Sequence, residues 1–104
     1  MEFEWDEAKR QSNIHKHGID FADVPAIFDG YTVTVEDTRF AYGEPRYSTI
    51  GLLKGRVVVV AHTERGDKIR IISARKATQY EEISYFEQIA DRLGTARRTK
   101  RRRH

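Results

Sequence analysis

The chain of 104 residues contains no cysteine. That excludes disulfides, thiolate metal sites and cysteine nucleophiles, and it leaves the compartment open on redox grounds. No hydrophobic run approaches the roughly 18 residues that a membrane span needs. Val57-Val58-Val59-Val60 makes one short buried strand at most. The opening MEFEWDEAK is acidic and lacks the charged-then-apolar order of an export signal, so cytoplasm without a membrane role is the default expectation. A glycine-rich phosphate loop and a G-x-S-x-G nucleophile turn are both missing. His15 and His17 are two apart and so lack the i,i+4 spacing of a zinc helix, and no carboxylate is placed to complete a ligand set; no metal or other cofactor is expected.

What is present is charge, unevenly placed. The net charge is +3, from 19 Lys and Arg against 16 Asp and Glu. Residues 97–104 (RRTKRRRH) hold six of those cations, so residues 1–96 carry 13 (19 − 6) against 16 acids, a net of −3. A mildly acidic domain over 1–94 followed by a basic, disordered tail over 95–104 is expected. Such a tail either adds salt-dependent affinity for nucleic acid or serves as a solvated end.

The apolar residues fall into periodic segments. Asp6 suits the N-cap of a helix over roughly 7–16, and Gly18 suits its end. Asp20 opens a second helix over roughly 21–28, with Phe21, Val24, Ile27 and Phe28 on its apolar face and Pro25 in its first turn or at a kink. Four strands follow: Thr32–Asp37, Tyr47–Leu53, Val57–Thr63 and Lys68–Arg75. Lys54-Gly55 and Arg65-Gly66-Asp67 form tight turns between the last three. Thr78-Gln79-Tyr80-Glu81 has the form of a capping box for a helix over 79–93, with Tyr80, Ile83, Phe86, Ile89, Ala90 and Leu93 as its inner stripe. The expected fold is therefore α+β: two N-terminal helices, a four-stranded, mainly antiparallel sheet, and a C-terminal helix packed on it.

In the last strand simple alternation puts Ile69, Ile71 and Ser73 on one face, and Arg70, Ile72 and Ala74 on the other. Arg75 and Lys76 leave the strand just before a helix start, a pairing that suits a phosphate-bearing ligand. The bland alternative for Arg75 is a tie to an acid such as Asp6 or Glu7. Arg70 lies five residues back, roughly 16 Å away, and is read as structural.

FEWDEAK (Phe3–Lys9), N-x-x-K-H-G (Asn13–Gly18), Phe21, Phe28, Ile50-Gly51, Gly55-Arg56, Thr63-Glu64-Arg65 and RIISARKAT (Arg70–Thr78) occur in this order. As an ordered set over roughly residues 2–86 they resemble the BrnT toxins of BrnT/BrnA type II toxin–antitoxin systems. The resemblance implies a small ribonuclease with a RelE-like fold that cuts RNA and halts translation. It also implies neutralisation by a BrnA antitoxin, through which the pair would reach operator DNA. Pro25 and the Gly43–Arg46 segment depart from the family pattern, and the Arg-rich tail lies outside it.

Metal-free RNA cleavage needs a group that helps the 2′-OH attack, an acid for the leaving 5′-oxygen, and cations for the charge on phosphorus. Arg75 and Lys76 are the leading phosphate contacts, with Arg65 as a neighbour if the register allows it. His17, at a helix end, is the acid–base candidate, and its alternative is a plain C-terminal cap. Lys9 and Lys16 could add RNA affinity, and Glu44 and Arg46 sit in a loop able to close over RNA. Phe40, Tyr42 and Tyr47 offer stacking surfaces for unpaired bases, or instead pack on the sheet or form the antitoxin interface. His62, in a strand alongside Val58 and Val60, reads as a core or partner-facing residue rather than a catalytic one. A non-catalytic module that binds nucleic acid or a partner protein is the competing function.

Overall fold

A computed structural model describes residues 1–39, 41 and 43–94. Its elements are β1 (Glu2–Glu4), α1 (Glu7–His17), a 3-10 turn (Phe21–Asp23), α2 (Pro25–Phe28), β2 (Val33–Glu36), β3 (Tyr47–Leu53), β4 (Arg56–Arg65), β5 (Lys68–Lys76) and α3 (Gln79–Arg92). The basic segment 95–104 and the stacking candidates Phe40 and Tyr42 lie outside the described residues. Among the described residues no helix is long and apolar enough to cross a membrane.

The strands form one sheet in the order β1-β5-β4-β3-β2. β2 to β5 pair antiparallel, each with its neighbour, as expected of a meander. The expected four-stranded sheet is nevertheless wrong, because Glu2–Glu4 form a fifth strand. β1 runs parallel to β5, with Phe3 opposite Ile69 and Glu4 opposite Arg70. Three residues are too few to display an alternation, and a parallel partner far along the chain leaves no turn signal beside it. Aromatic packing anchors this segment: Phe3 meets Phe28 at 5.2 Å between ring centroids, and Trp5 meets Phe21 edge-on at 6.3 Å.

The helices cover both faces of the sheet. α1, the 3-10 turn and α2 lie on one face, where Ile19, Phe21, Val24 and Ile27 cluster with Val58, Val60, Ile71 and Ala74. α3 lies on the other, where Tyr85 and Ile89 pack with Val33, Val57, Val59 and Ala77. The expected helix over 21–28 is split in two. Asp20 caps the 3-10 turn through the Ala22 N–H at 2.9 Å, and Pro25 then starts α2, where its missing N–H is not needed. Arg10 clamps this turn to α1 by donating to both Asp20 carboxylate oxygens at 2.7 and 2.9 Å. α2 sits close on β3 because residue 51 is glycine: a Cβ there would stand 2.6 Å from Ile27 Cγ2.

Of the stripe expected to face inward on α3, Ile89 is buried as expected, and most of the rest is corrected. Tyr85 and Ile89 are buried, whereas Tyr80 (81%), Ile83 (52%), Phe86 (49%) and Leu93 (54%) are exposed. The orientation follows from anchors outside the helix. The Tyr85 hydroxyl donates to the Tyr31 carbonyl at 2.8 Å, and Arg92 donates to the Thr32 carbonyl at 2.6 Å. An apolar count along the helix does not contain that information.

β5 carries a bulge. Ala61 pairs with Ser73 but His62 pairs with Ile71, so Ile72 is an extra residue. This overturns simple alternation along the strand. Ala74, opposite Val60, joins Ile71 in the core under α1 and α2. Arg75, opposite Val59, points to the α3 face; Lys76, opposite Val58, points to the α1–α2 face.

Candidate nucleic-acid interface

Arg75 ends β5 where the chain turns into α3. Thr78 caps α3 by accepting from the Glu81 N–H at 3.2 Å, and Glu81 accepts from the Thr78 N–H at 2.9 Å. That capping box fixes Glu81 in the first turn. Glu81 then takes both arms of the Arg75 guanidinium, at 2.8 and 2.9 Å. The partner is thus neither Asp6 nor Glu7. The hydrogen bonds from Arg75 hold the Glu81 carboxyl down at about 2, against the opposing effect of burial. In return they raise the Arg75 guanidinium above its usual value, while the charge of Arg39 acts the other way.

This ion pair borders a cleft of about 300 Å³ on the α3 face, lined among others by Arg39, Ser48, Ile50 and Val59. Arg39 is steadied by Asp37, which accepts from its Nε and Nη2, each at 2.9 Å. Two guanidiniums therefore stand at one cleft, each oriented by a carboxylate. Arg75 keeps 41% of its side-chain surface exposed, so an incoming anion can reach it.

The remaining sequence candidates fall into three other places. Arg65, Glu44 and Arg46 come together at the far end of β4, with Glu44 3.6 Å from Arg65 and 3.9 Å from Arg46. Arg65 is six residues along β4 from Val59, the partner of Arg75, roughly 20 Å away. The register therefore separates Arg65 from Arg75. Thr63 ties the loop to this end by donating to the Pro45 carbonyl. Arg70, nearby, reaches Glu4 at 3.3 Å, consistent with a structural part.

Lys9, Lys16 and His17 line one groove of about 210 Å³ between α1 and the edge of β5, together with Ser12, Asn13, Ile72 and Ser73. β1 covers β5 only at Lys68–Arg70, so the strand beyond is an edge. Asn13, 5% exposed, closes that edge in place of a strand. Its side-chain NH2 donates to the Ala74 and Ile19 carbonyls, each at 2.9 Å, and its oxygen accepts from the Ala74 N–H at 3.1 Å. Gly18, at φ 70°, ends α1 and donates to the Ile14 carbonyl at 2.8 Å, which places His17 at the mouth of the groove. Lys76 lines a separate cavity on the same sheet face, with Gly18, Lys54, Arg56 and Asp23.

Glu81, Arg39, Asn13 and Ser73 were not among the sequence candidates. The capping box placed Glu81 at a helix start, but only the bulge turns Arg75 towards it. Asn13 lay inside the N-x-x-K-H-G motif and carried a findable signal, since a buried Asn amid polar helix residues calls for a backbone partner. His62 is buried, 4% exposed, between Phe28 and Tyr47, with ring centroids 5.5 and 5.8 Å away. Tyr47 therefore spends its ring on His62. Burial lowers the His62 pKa, and the charge of Glu64 opposes that only in part. Among the described residues no three His, Asp or Glu gather in a way that could hold a metal ion.

No curated protein matches the chain significantly. The family model of BrnT, the ribonuclease toxin of type II toxin–antitoxin systems, matches residues 5–81, from Trp5 to Glu81. That span is well over half of the chain and takes in α1, the whole meander and the Arg75–Glu81 pair. The chain belongs to the BrnT family of ribonuclease toxins.

Proposed function

We propose that the chain is an endoribonuclease that cuts RNA without a metal and so stops translation. A BrnA-like, DNA-binding antitoxin holds it silent, and operator DNA is reached only through that complex. The observation that carries this reading is the Arg75 fork, held by Glu81 and exposed beside Arg39 on the α3 face. Glu81 takes one edge of the guanidinium through Nη1 and Nη2, and the edge carrying Nε–H is left to meet phosphate oxygens and hold the charge that grows on them as the bond breaks.

In the reaction the substrate 2′-hydroxyl loses its proton to solvent as its oxygen forms a bond to phosphorus, the bond from phosphorus to the 5′-oxygen breaks, and the leaving oxygen takes up a proton. The products are a 2′,3′-cyclic phosphate and a 5′-hydroxyl. Arg75 contacts the phosphate. His17 supplies the proton to a strand that crosses the β5 edge beside Ser73. Arg65 stands too far along the sheet to share that phosphate, and Lys76 stands on its other face.

The test uses the full chain, freed of any partner, with RNA in EDTA. Discrete cuts ending in 2′,3′-cyclic phosphate are expected. Intact RNA contradicts the assignment, and cuts that appear only with added magnesium contradict metal independence. A short ribbon-helix-helix-type protein encoded beside this chain should suppress the cuts when added.

A further inference from the structure

We propose that the groove between α1 and the β5 edge binds a backbone phosphate of single-stranded RNA beside the one being cut. This rests on the reading of the chain as an RNA-cutting enzyme. It adds a second grip on the substrate.

Charge pairing is the first argument. Arg10, Arg39, Arg46, Arg65, Arg70 and Arg75 each reach a carboxylate. Lys76 and Arg56 share their cavity with Asp23. The groove differs, because none of its lining residues is an acid. Among the described residues Lys9, Lys16 and His17 make no ion pair, although residues 1–96 carry more acids than bases. Positive groups gathered around one hollow without a counter-charge repel each other, and an anion relieves that repulsion.

Geometry is the second. Lys9 and Lys16 are two helical turns apart on one side of α1, about 10 Å along its axis. The hydroxyl-bearing Ser12 and Ser73 line the hollow between them and the strand. The wall is rigid, because Asn13 bonds α1 to the Ala74 backbone on both its N–H and its carbonyl. Ser73 is two residues before Arg75, roughly 7 Å along the strand. One RNA strand can therefore touch the groove and the Arg75 cleft in succession by passing over the β5 edge.

The test is binding of a labelled, fully 2′-O-methylated RNA oligonucleotide, which has no free 2′-OH and stays intact, across a salt series. The double variant Lys9→Gln/Lys16→Gln should lower the slope of log K against log salt by about 0.7, one single-strand phosphate contact. Lys68→Gln, at the other end of β5, should leave it unchanged. At matched ionic strength inorganic phosphate should compete no better than chloride. An unchanged slope in the double variant, an equal fall in Lys68→Gln, or displacement by inorganic phosphate each overturns the proposal. Cleavage is measured separately on unmodified RNA. If the wild type cuts RNA but the slope does not move, the groove alone fails. If the slope falls and RNA stays intact, the groove stands and the enzymatic reading fails.

Discussion

The two faces of the sheet use similar strands for opposite ends. On the α1–α2 face, Val58, Val60, Ile71 and Ala74 meet Phe21, Val24 and Ile27, each at most 1% exposed. Even the histidine on that face is sealed. His62 bonds the Thr49 hydroxyl at 2.7 Å, and Thr49 in turn meets Thr34 at 2.7 Å. On the α3 face, the helix covers Val33, Val57 and Val59, and beyond it stand arginines steadied by carboxylates. A sheet buried on one side can hold charged side chains at fixed places on the other, since the apolar side supplies the rigidity. The side that seals its histidine in the core is not the side on which Arg75 stands.

The largest effect that sharpens this contrast is on stability. Phe21→Ala, at a fully buried position, should cost about 3–5 kcal/mol in urea denaturation. Ile83→Ala, half exposed on α3, should stay within about 0.5 kcal/mol. Equal costs would erase the distinction between the faces. Asn13→Ala comes next. It leaves the Ala74 N–H and two carbonyls without their partner, so a loss of about 2–4 kcal/mol is expected. A mild effect there would mean that α1 is not what closes the β5 edge.

Acid should act in two steps. His62 has a lowered folded pKa, so the unfolded chain takes up its proton first. Stability therefore begins to fall as pH drops below the ordinary histidine value of 6.5 and levels off below the folded value. Glu81, depressed from 4.5 to about 2, contributes stability that is present above 4.5 and lost as pH falls through about 2. Thermal melts over pH should show the first step vanish in His62→Phe and the second shrink in Glu81→Gln, the remainder coming from Asp20, which Arg10 also holds down at about 2. A first step that survives His62→Phe would assign it elsewhere. The smallest effect is that of Glu81→Gln at neutral pH, about 1 kcal/mol from the weakened cap. A loss of several kcal/mol would make the Arg75–Glu81 pair chiefly a structural tie.

Much of this arrangement was legible in the sequence, and the gaps have identifiable causes. The meander, the helix caps at Asp6 and Thr78 and the breaks at Gly18 and Lys54-Gly55 follow from local chemistry, and they stand as read. Strand β1 escaped notice because its partner is distant and its length is three residues. The bulge at Ile72 escaped too, since nothing in RIISARK marks an extra residue, and one residue reverses every face after it. That reversal puts Ala74 in the core and gives Arg75 the α3 face. The exposed stripe of α3 could not be foreseen from periodicity, because Tyr31 and Thr32, far away in the chain, set the rotation. Lys9, Lys16 and His17 were each readable as candidates. Their convergence on one groove was not, because it depends on where α1 lies against β5.

Arg75 and Lys76 are neighbours in the chain and face opposite ways, so they test the account most directly. The measurement is single-turnover cleavage of RNA in EDTA by the wild type, Arg75→Ala and Lys76→Ala, with folding checked by circular dichroism. Arg75→Ala should lose about 10²–10³ in rate, as when one oriented donor to a developing charge is removed. Lys76→Ala should stay within a few-fold of the wild type. Equal losses in the two variants, or full activity in Arg75→Ala, would contradict the assignment of the phosphate being cut to Arg75 on the α3 face.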